Sequence, residues 1–220
     1  MLPDEVACYE SAAISRSRRD TRFTVITVAG FRAAALAAST EYFTNVVTPA
    51  FLAGGPSLNS ALKWYARSCN SIAGLPSDVS QTVPEGASLV KTADLAVRML
   101  QASTEVAMTV HDLARVESHV MLDTAQPGDA LVSTRGEEIE CHPGEPVLRD
   151  ALGVVASLLT GSDSRTAVRS STKSLLFCLL DTSVGDPELY EGAVDVVSRF
   201  VPAPLGDTVV HVASPVPLDP

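Results

Sequence analysis

The stretch EGASLVKTADLAVRMLQASTEVAMTVHDLARVESHVML, Glu85 to Leu122, is the longest patterned run in the chain, and its reading decides the fold class. Lys91, Asp94, Arg98, Gln101, Glu105, Asp112, Arg115 and His119 step by three and four, with Met108 alone breaking the set. Leu95, Met99, Ala102, Val106, Leu113, Val116 and Val120 occupy the opposite stripe, and Ala96, Leu100, Ala107 and Val110 widen it. On a 3.6-residue period this spacing separates charge from apolar groups and predicts an amphipathic helix. The run is roughly 35 residues, or about 50 Å of helix, with a break allowed near Ala102 to Thr104. The breadth of its apolar face suits packing against several elements and not a two-stranded seam.

Working outward, similar periods predict further helices. Leu2 to Arg19 opens with Pro3, Asp4 and Glu5, and its face is Val6, Ala13 and Ile14. Ala29 to Phe43 carries Phe31, Ala35, Ala38 and Tyr42 on one side. Ser57 caps a helix bearing Leu58, Leu62, Tyr65, Cys69 and Ile72, which Gly74 and Pro76 stop. Val147 to Thr160 presents Leu148, Leu152, Val155 and Leu159. Arg165 to Asp181 ends in Leu175-Leu176-Phe177-Cys178-Leu179-Leu180, a run read as a central buried helix. Asp186 and Pro187 start a last helix, with Leu189, Ala193, Val196 and Phe200 facing inward.

Three segments read as β. Arg22 to Val28 is dense in β-branched residues and alternates, which predicts a strand near 22–28. Ala130 to Thr134 and Glu138 to His142 predict a hairpin near 130–142 around Arg135-Gly136-Glu137. Thr208 to Val212 forms either a strand near 208–212, beside Arg22 to Val28, or part of an extended arm. The expected architecture is therefore mainly α. It is a multi-helix bundle with a minor β component, in one helical domain over 1–201 with a hairpin insertion at 123–146. A proline-rich C-terminal arm follows over 202–220.

Bulk composition bounds function. The chain has 220 residues, 46% hydrophobic and 19% charged, which is a folded composition. A net charge of −10 argues against direct nucleic-acid binding, since phosphate backbones need a basic surface. The one local basic group, Arg16, Arg18, Arg19 and Arg22, reads as a solvated helix end. Cys8, Cys69, Cys141 and Cys178 are widely spaced without CxxC, so short-range metal or redox pairing is not indicated. Met1 to Glu10 does not resemble a signal peptide, and no run of apolar residues is long enough for a membrane span. An intracellular, reducing location is expected, or else a virion.

Candidate chemistry is sparse. His111-Asp112 with His119 offers metal-binding side chains, but eight residues of helix separate the histidines by roughly 12 Å, too far for one ion. Cys141-His142 is the strongest nucleophile candidate. Neighbours on a strand point apart, however, and Glu137, Glu138, Glu140 and Glu145 would raise the thiol pKa. Those glutamates with Asp129 also suggest a cation-holding loop, though without EF-hand spacing. No GxGxxG, P-loop, GxSxG or HExxH pattern occurs. No catalytic, cofactor-binding or metal-ligating residue is assigned, and no cofactor is expected. The reading reached is a non-enzymatic structural or assembly protein that binds other protein subunits. A viral capsid or capsid-surface subunit fits it, as does a cellular scaffold. The alternatives are an enzyme with a dispersed site near Cys141, His142, His111 and the hairpin acids, and a helical regulator binding a small molecule or peptide.

Overall fold

Strands, not helices, make up most of the described residues. The computed structural model describes residues 6–17, 22–30, 106–133, 135–157, 161–169, 171–181, 190–192, 194, 197–198 and 209–217. Among the described residues 53% lie in strands and 12% in helix. In chain order the elements are β1 (Ala7–Glu10), α1 (Ala12–Ser17), β2 (Arg22–Ala29), β3 (Ala107–Asp112), β4 (His119–Thr124), β5 (Ala130–Val132), β6 (Glu138–Glu140), β7 (Pro146–Asp150), β8 (Gly153–Ser157), β9 (Gly161–Ser162), β10 (Ser174–Asp181), β11 (Val209–Ala213) and β12 (Val216–Pro217).

They form three sheets. The six-stranded sheet runs β12-β1-β4-β7-β8-β9, the four-stranded sheet runs β11-β2-β10-β3, and β5 pairs with β6. Strand β1 is parallel to both β4 and β12, and the remaining ladders are antiparallel. A register shift between Leu148 and Arg149 kinks the β7–β8 pair, as an extra residue in one strand does.

The two larger sheets meet face to face. Cys8, Val120, Leu122, Leu148 and Ala156 from the six-stranded sheet share one core with Phe23, Val25, Leu176, Cys178 and Leu180 from the four-stranded sheet, and Ile14 of α1 closes it. Each fully buried Leu, Val or Phe contributes roughly 1.5–3 kcal/mol. The other face of the four-stranded sheet is buried as well: Ile26, Val28, Leu175, Phe177, Leu179 and Met108 are each at most 3% exposed. Tyr190 reaches this sheet and donates its hydroxyl hydrogen bond to Thr24. A smaller core of Ala125, Leu131, Cys141, Val147 and Val154 seats the β5–β6 hairpin.

The helical-bundle expectation is thus corrected. Of the run 85–122, residues 85–105 lie outside the described residues. Beyond them the chain forms β3, a 3-10 turn at Leu113–Arg115, and β4. Asp112, Arg115 and His119 mark a strand end, a turn and a strand start, so their spacing by three and four is not a helical face. Val147 to Thr160 contains β7 and β8, joined by a turn at Ala151 and Leu152. Arg165 to Asp181 contains a loop and β10. Leu2 to Arg19 divides into β1 and the six-residue helix α1. Ala29 ends β2, whereas the helices expected over 31–43 and 57–74 lie outside the described residues. Over 186–200 the described residues are helical. The segments expected to be β are present as β2, the β5–β6 hairpin and β11; β2 and β11 are a central and an edge strand of the four-stranded sheet, and the hairpin is a separate two-stranded sheet. Val209–Ala213 pairs with β2 and Val216–Pro217 pairs with β1, so these residues of the proline-rich segment are built into the body.

Candidate functional site

The densest polar constellation lies where β3, the β7–β8 turn and the loop 163–172 meet. His111 stands on the inner side of β3, opposite Leu176 of β10, and is completely buried. Its Nδ1 lies 3.0 Å from the Thr166 hydroxyl and its Nε2 lies 2.9 Å from the Thr109 hydroxyl. The Thr166 hydroxyl donates onward to the Asp163 carbonyl at 3.4 Å. That leaves Thr166 to accept from the ring, so the geometry favours a neutral imidazole with the proton on Nδ1. Burial, and then the nearby Arg165 charge, lower its pKa from 6.5 to about 4.

Asp150, at the end of β7, is the hub of this region. Its carboxylate accepts from the Glu117 amide at 2.9 Å, from the Leu152 amide at 2.9 Å, and from both terminal nitrogens of Arg165 at 2.7 and 3.0 Å. Burial pushes the Asp150 pKa up, but the Arg165 guanidinium and the two amides outweigh it and hold the group below its ordinary value. Three chain segments are tied by this one side chain. Asp112 repeats the pattern: its carboxylate caps the 3-10 turn through the Ala114 amide and accepts from the Thr172 hydroxyl at 2.8 Å. Arg115 and Arg165 each donate to the other's backbone carbonyl, at 3.4 and 3.2 Å. Arg169 donates to the Ser164 carbonyl at 3.5 Å. The solvent side of this end therefore carries three arginines on a chain that is acidic as a whole.

A second ionic group braces the hairpin. Arg149 donates from Nε to Asp123 at 3.0 Å and grips Asp129 with both terminal nitrogens. The Arg149 hydrogen bond is the main reason the Asp129 pKa is lowered.

The residues singled out in the sequence do not converge. Cys141 is 1% exposed beneath the hairpin, and its pKa is pushed up to about 12 by burial and by Glu145. His142 is exposed, and its amide donates to Glu145 Oε1 at 3.2 Å. Glu137, Glu138 and Glu140 are exposed, Glu145 is buried, and Asp129 belongs to Arg149. His119 is on β4 of the six-stranded sheet, its ring edge-on to Tyr9 at 5.7 Å, whereas His111 is in the four-stranded sheet. Among the described residues no group of three or more His, Cys, Asp or Glu could hold a metal. Arg22 lies 5.8 Å from the centre of the Tyr190 ring. Cys8 and Cys178 are buried free thiols in the inter-sheet core. Cys8 is raised to about 12 by burial, and burial also raises Cys178. Cys69 lies outside the described residues. A void of about 10 Å³ between the sheets is lined by Phe23, Leu122, Leu148, Cys178 and Leu180. It is apolar and has room for about one water molecule at most.

Sequence reasoning missed Asp150 and Arg165, a pair that ties three segments of the described residues together. The signal was Asp150-Ala151-Leu152-Gly153, a turn dipeptide frame whose glycine sits at φ +138. Such a glycine marks the start of a new strand and not the middle of a helix.

This architecture defines a class: a β-rich domain of two packed sheets with an attached hairpin. Its fold is similar to that in the crystal structure of an N-terminal fragment of the phenylalanyl-tRNA synthetase β-subunit from Pyrococcus horikoshii. The TM-score is 0.55 at 12% identity, over 97% of this chain and 52% of that one. The chain thus spans about half the length of that fragment. No known family matches the chain, and no curated protein matches it.

Among the described residues, no helix is long and apolar enough to cross a membrane.

Proposed function

We propose that this chain is a non-enzymatic binding module whose partner is protein, either a second copy or another subunit. The observation that supports this most is the fate of the reactive groups among the described residues. His111, Cys141 and Asp150 are each buried and engaged within the fold. Groups closed off in this way hold segments together and do not meet a substrate. The similar fold belongs to a fragment of a synthetase β-subunit, a chain that by its title is one subunit among others. Free thiols at Cys8, Cys141 and Cys178 suit a reducing, intracellular setting. The capsid and virion expectation rested on a helical body and has no support from the fold or the comparisons, so it is not carried forward.

The test is recovery of the tagged full chain from its native cells, followed by molar mass in solution. A stoichiometric protein partner or a self-oligomer is the expected result. A chain that is recovered alone and remains at 23.1 kDa overturns the proposal. Replacing Cys141 and His142 by alanine is expected to leave partner recovery intact.

A second reading has its own support. Arg115, Arg165 and Arg169 gather at one end, in a fold shared with part of a tRNA synthetase. In that reading the arginine end contacts tRNA phosphates. Binding to total tRNA that weakens with salt and is lost in Arg115→Ala/Arg169→Ala would favour it over protein binding. The net charge of −10 weighs against it.

A further inference from the structure

The loop 163–172 is strapped to the end of β3, and its hold there is mainly polar. Its Thr166 carbonyl accepts from the Asp112 amide at 2.8 Å, and its Ser164 amide donates to the Val132 carbonyl at 2.7 Å. Asp163 accepts from the Val132 amide at 2.7 Å, Thr172 donates to Asp112 at 2.8 Å, and Arg165 is paired with Asp150. Among the described residues, Val168 is the one buried apolar side chain of this loop. Segments held by hydrogen bonds over little apolar area open at a lower free energy than the core they rest on. His111 lies against the loop, completely buried, and bridges Thr166 of the loop to Thr109 of its own strand.

We infer that the loop 163–172 is an acid-released strap: proton uptake by His111 lifts it from β3 while the two sheets stay packed. An imidazolium in this site meets no solvent, so its charge is hydrated only when the cover beside it moves. Arg165 of the loop repels the new charge, while Asp163 of the loop and Asp150 at the end of β7 attract it. Both acids already hold other donors, Asp150 the Arg165 guanidinium and Asp163 the amides of Val132 and Arg165. Asp112, next on β3, is engaged by Ala114, Thr172 and Arg115. Strand β10 sets Leu176 and the Cys178 thiol opposite His111 and Thr109, and burial keeps that thiol protonated. Burial first, and Arg165 second, lower the ring from 6.5 to about 4 in the closed form.

The experiment is amide exchange of the full chain followed by NMR between pH 7 and pH 4 and corrected for intrinsic rates, with the His111 ring titrated in the same samples. A ring at 6.5 in the open form and about 4 in the closed form makes opening about twentyfold more frequent at pH 5 than at pH 7. Protection of the Asp112 and Ser164 amides should fall by that factor, and should lie at least about tenfold below that of the β10 amides, which are paired on both sides. In His111→Asn, whose side chain does not titrate, protection of the loop amides should hold constant over the same range. Loop protection that is independent of pH in wild type, or that falls equally in His111→Asn, overturns the inference. Equal protection of loop and β10 amides also overturns it, since the strap would then open only with the whole fold. The wild-type ring decides the matter even where the variant does not fold: a ring that titrates near 6.5 with the loop amides still protected takes its proton without release.

Discussion

His111 is a base that the fold keeps uncharged, and that sets a pH signature. Its folded pKa of about 4 lies below the ordinary 6.5, so between these values the unfolded chain binds a proton that the native chain refuses. Stability therefore falls as pH drops through that window, by roughly 3 kcal/mol in all. Urea midpoints measured from pH 7 to pH 4 should decline in wild type and decline less in His111→Asn, whose baseline is lower. Parallel slopes would mean that the ring is not held neutral. The carboxylates act elsewhere on the scale: Asp150 is depressed below 3.8, so its share persists down to that value and is lost only beneath it. The thiols give a second test at this scale. Cys8, Cys141 and Cys178 are buried with raised pKa values, so a thiol reagent should leave all three unmodified in the native chain and label them in urea. Fast native labelling of Cys141 would restore it as a nucleophile. The sequence did show why Cys141 is a poor one, since its acidic neighbours were visible there. It hid that His111 is buried between two threonines, one of them 55 positions away.

Among the elements, the β7–β8 turn is tied to two other segments through one carboxylate, that of Asp150. Removing the Asp150 carboxylate strands Arg165 and frees the Glu117 and Leu152 amides. Asp150→Ala should cost about 3–5 kcal/mol in chemical denaturation, with an unchanged denaturant slope. Arg165→Met should cost less, because Arg165 is 30% exposed and Asp150 keeps its two amides. Equal costs would show that the pair, and not the amide ties, carries the turn. Strands β10 and β4 show why strand sequence resembles helix here. In β10 both faces are buried, so Leu175 to Leu180 has no polar alternation to betray a two-residue period. Length decides such a run, and six apolar residues fit a central strand better than a helix. In β4 the alternation is present: Val120 and Leu122 point inward while His119, Met121 and Asp123 are partly exposed. It was masked because Asp112, Arg115 and His119 happen to be three and four apart. Segments with one clear β signal remained readable, namely the β-branched run of β2 and the hairpin, whose Gly136 turns at φ +81.

At the scale of the molecule, the C-terminal strands tie the two sheets to each other. Only Ser214 and Pro215 separate β11, on the four-stranded sheet, from β12, on the six-stranded sheet. The prolines that made this segment look like a free arm serve another purpose. Among the described residues two of them, Pro215 and Pro217, lie next to and in β12, where a strand of two residues needs few donors, and β11 has none. Deleting residues 209–220 would bare the edge of β2, eight residues buried on both faces over Phe23 to Val28. It would also remove one of the two parallel neighbours of β1, leaving β4. An uncovered strand of this composition seeks another chain. The truncated protein is therefore expected to aggregate, or to melt well below the full chain with reduced cooperativity, when followed by light scattering during a thermal ramp. A free arm would leave both readouts unchanged. If the deleted chain stayed monodisperse and melted with the full-length protein, the strands from Val209 onward would contribute nothing to the body.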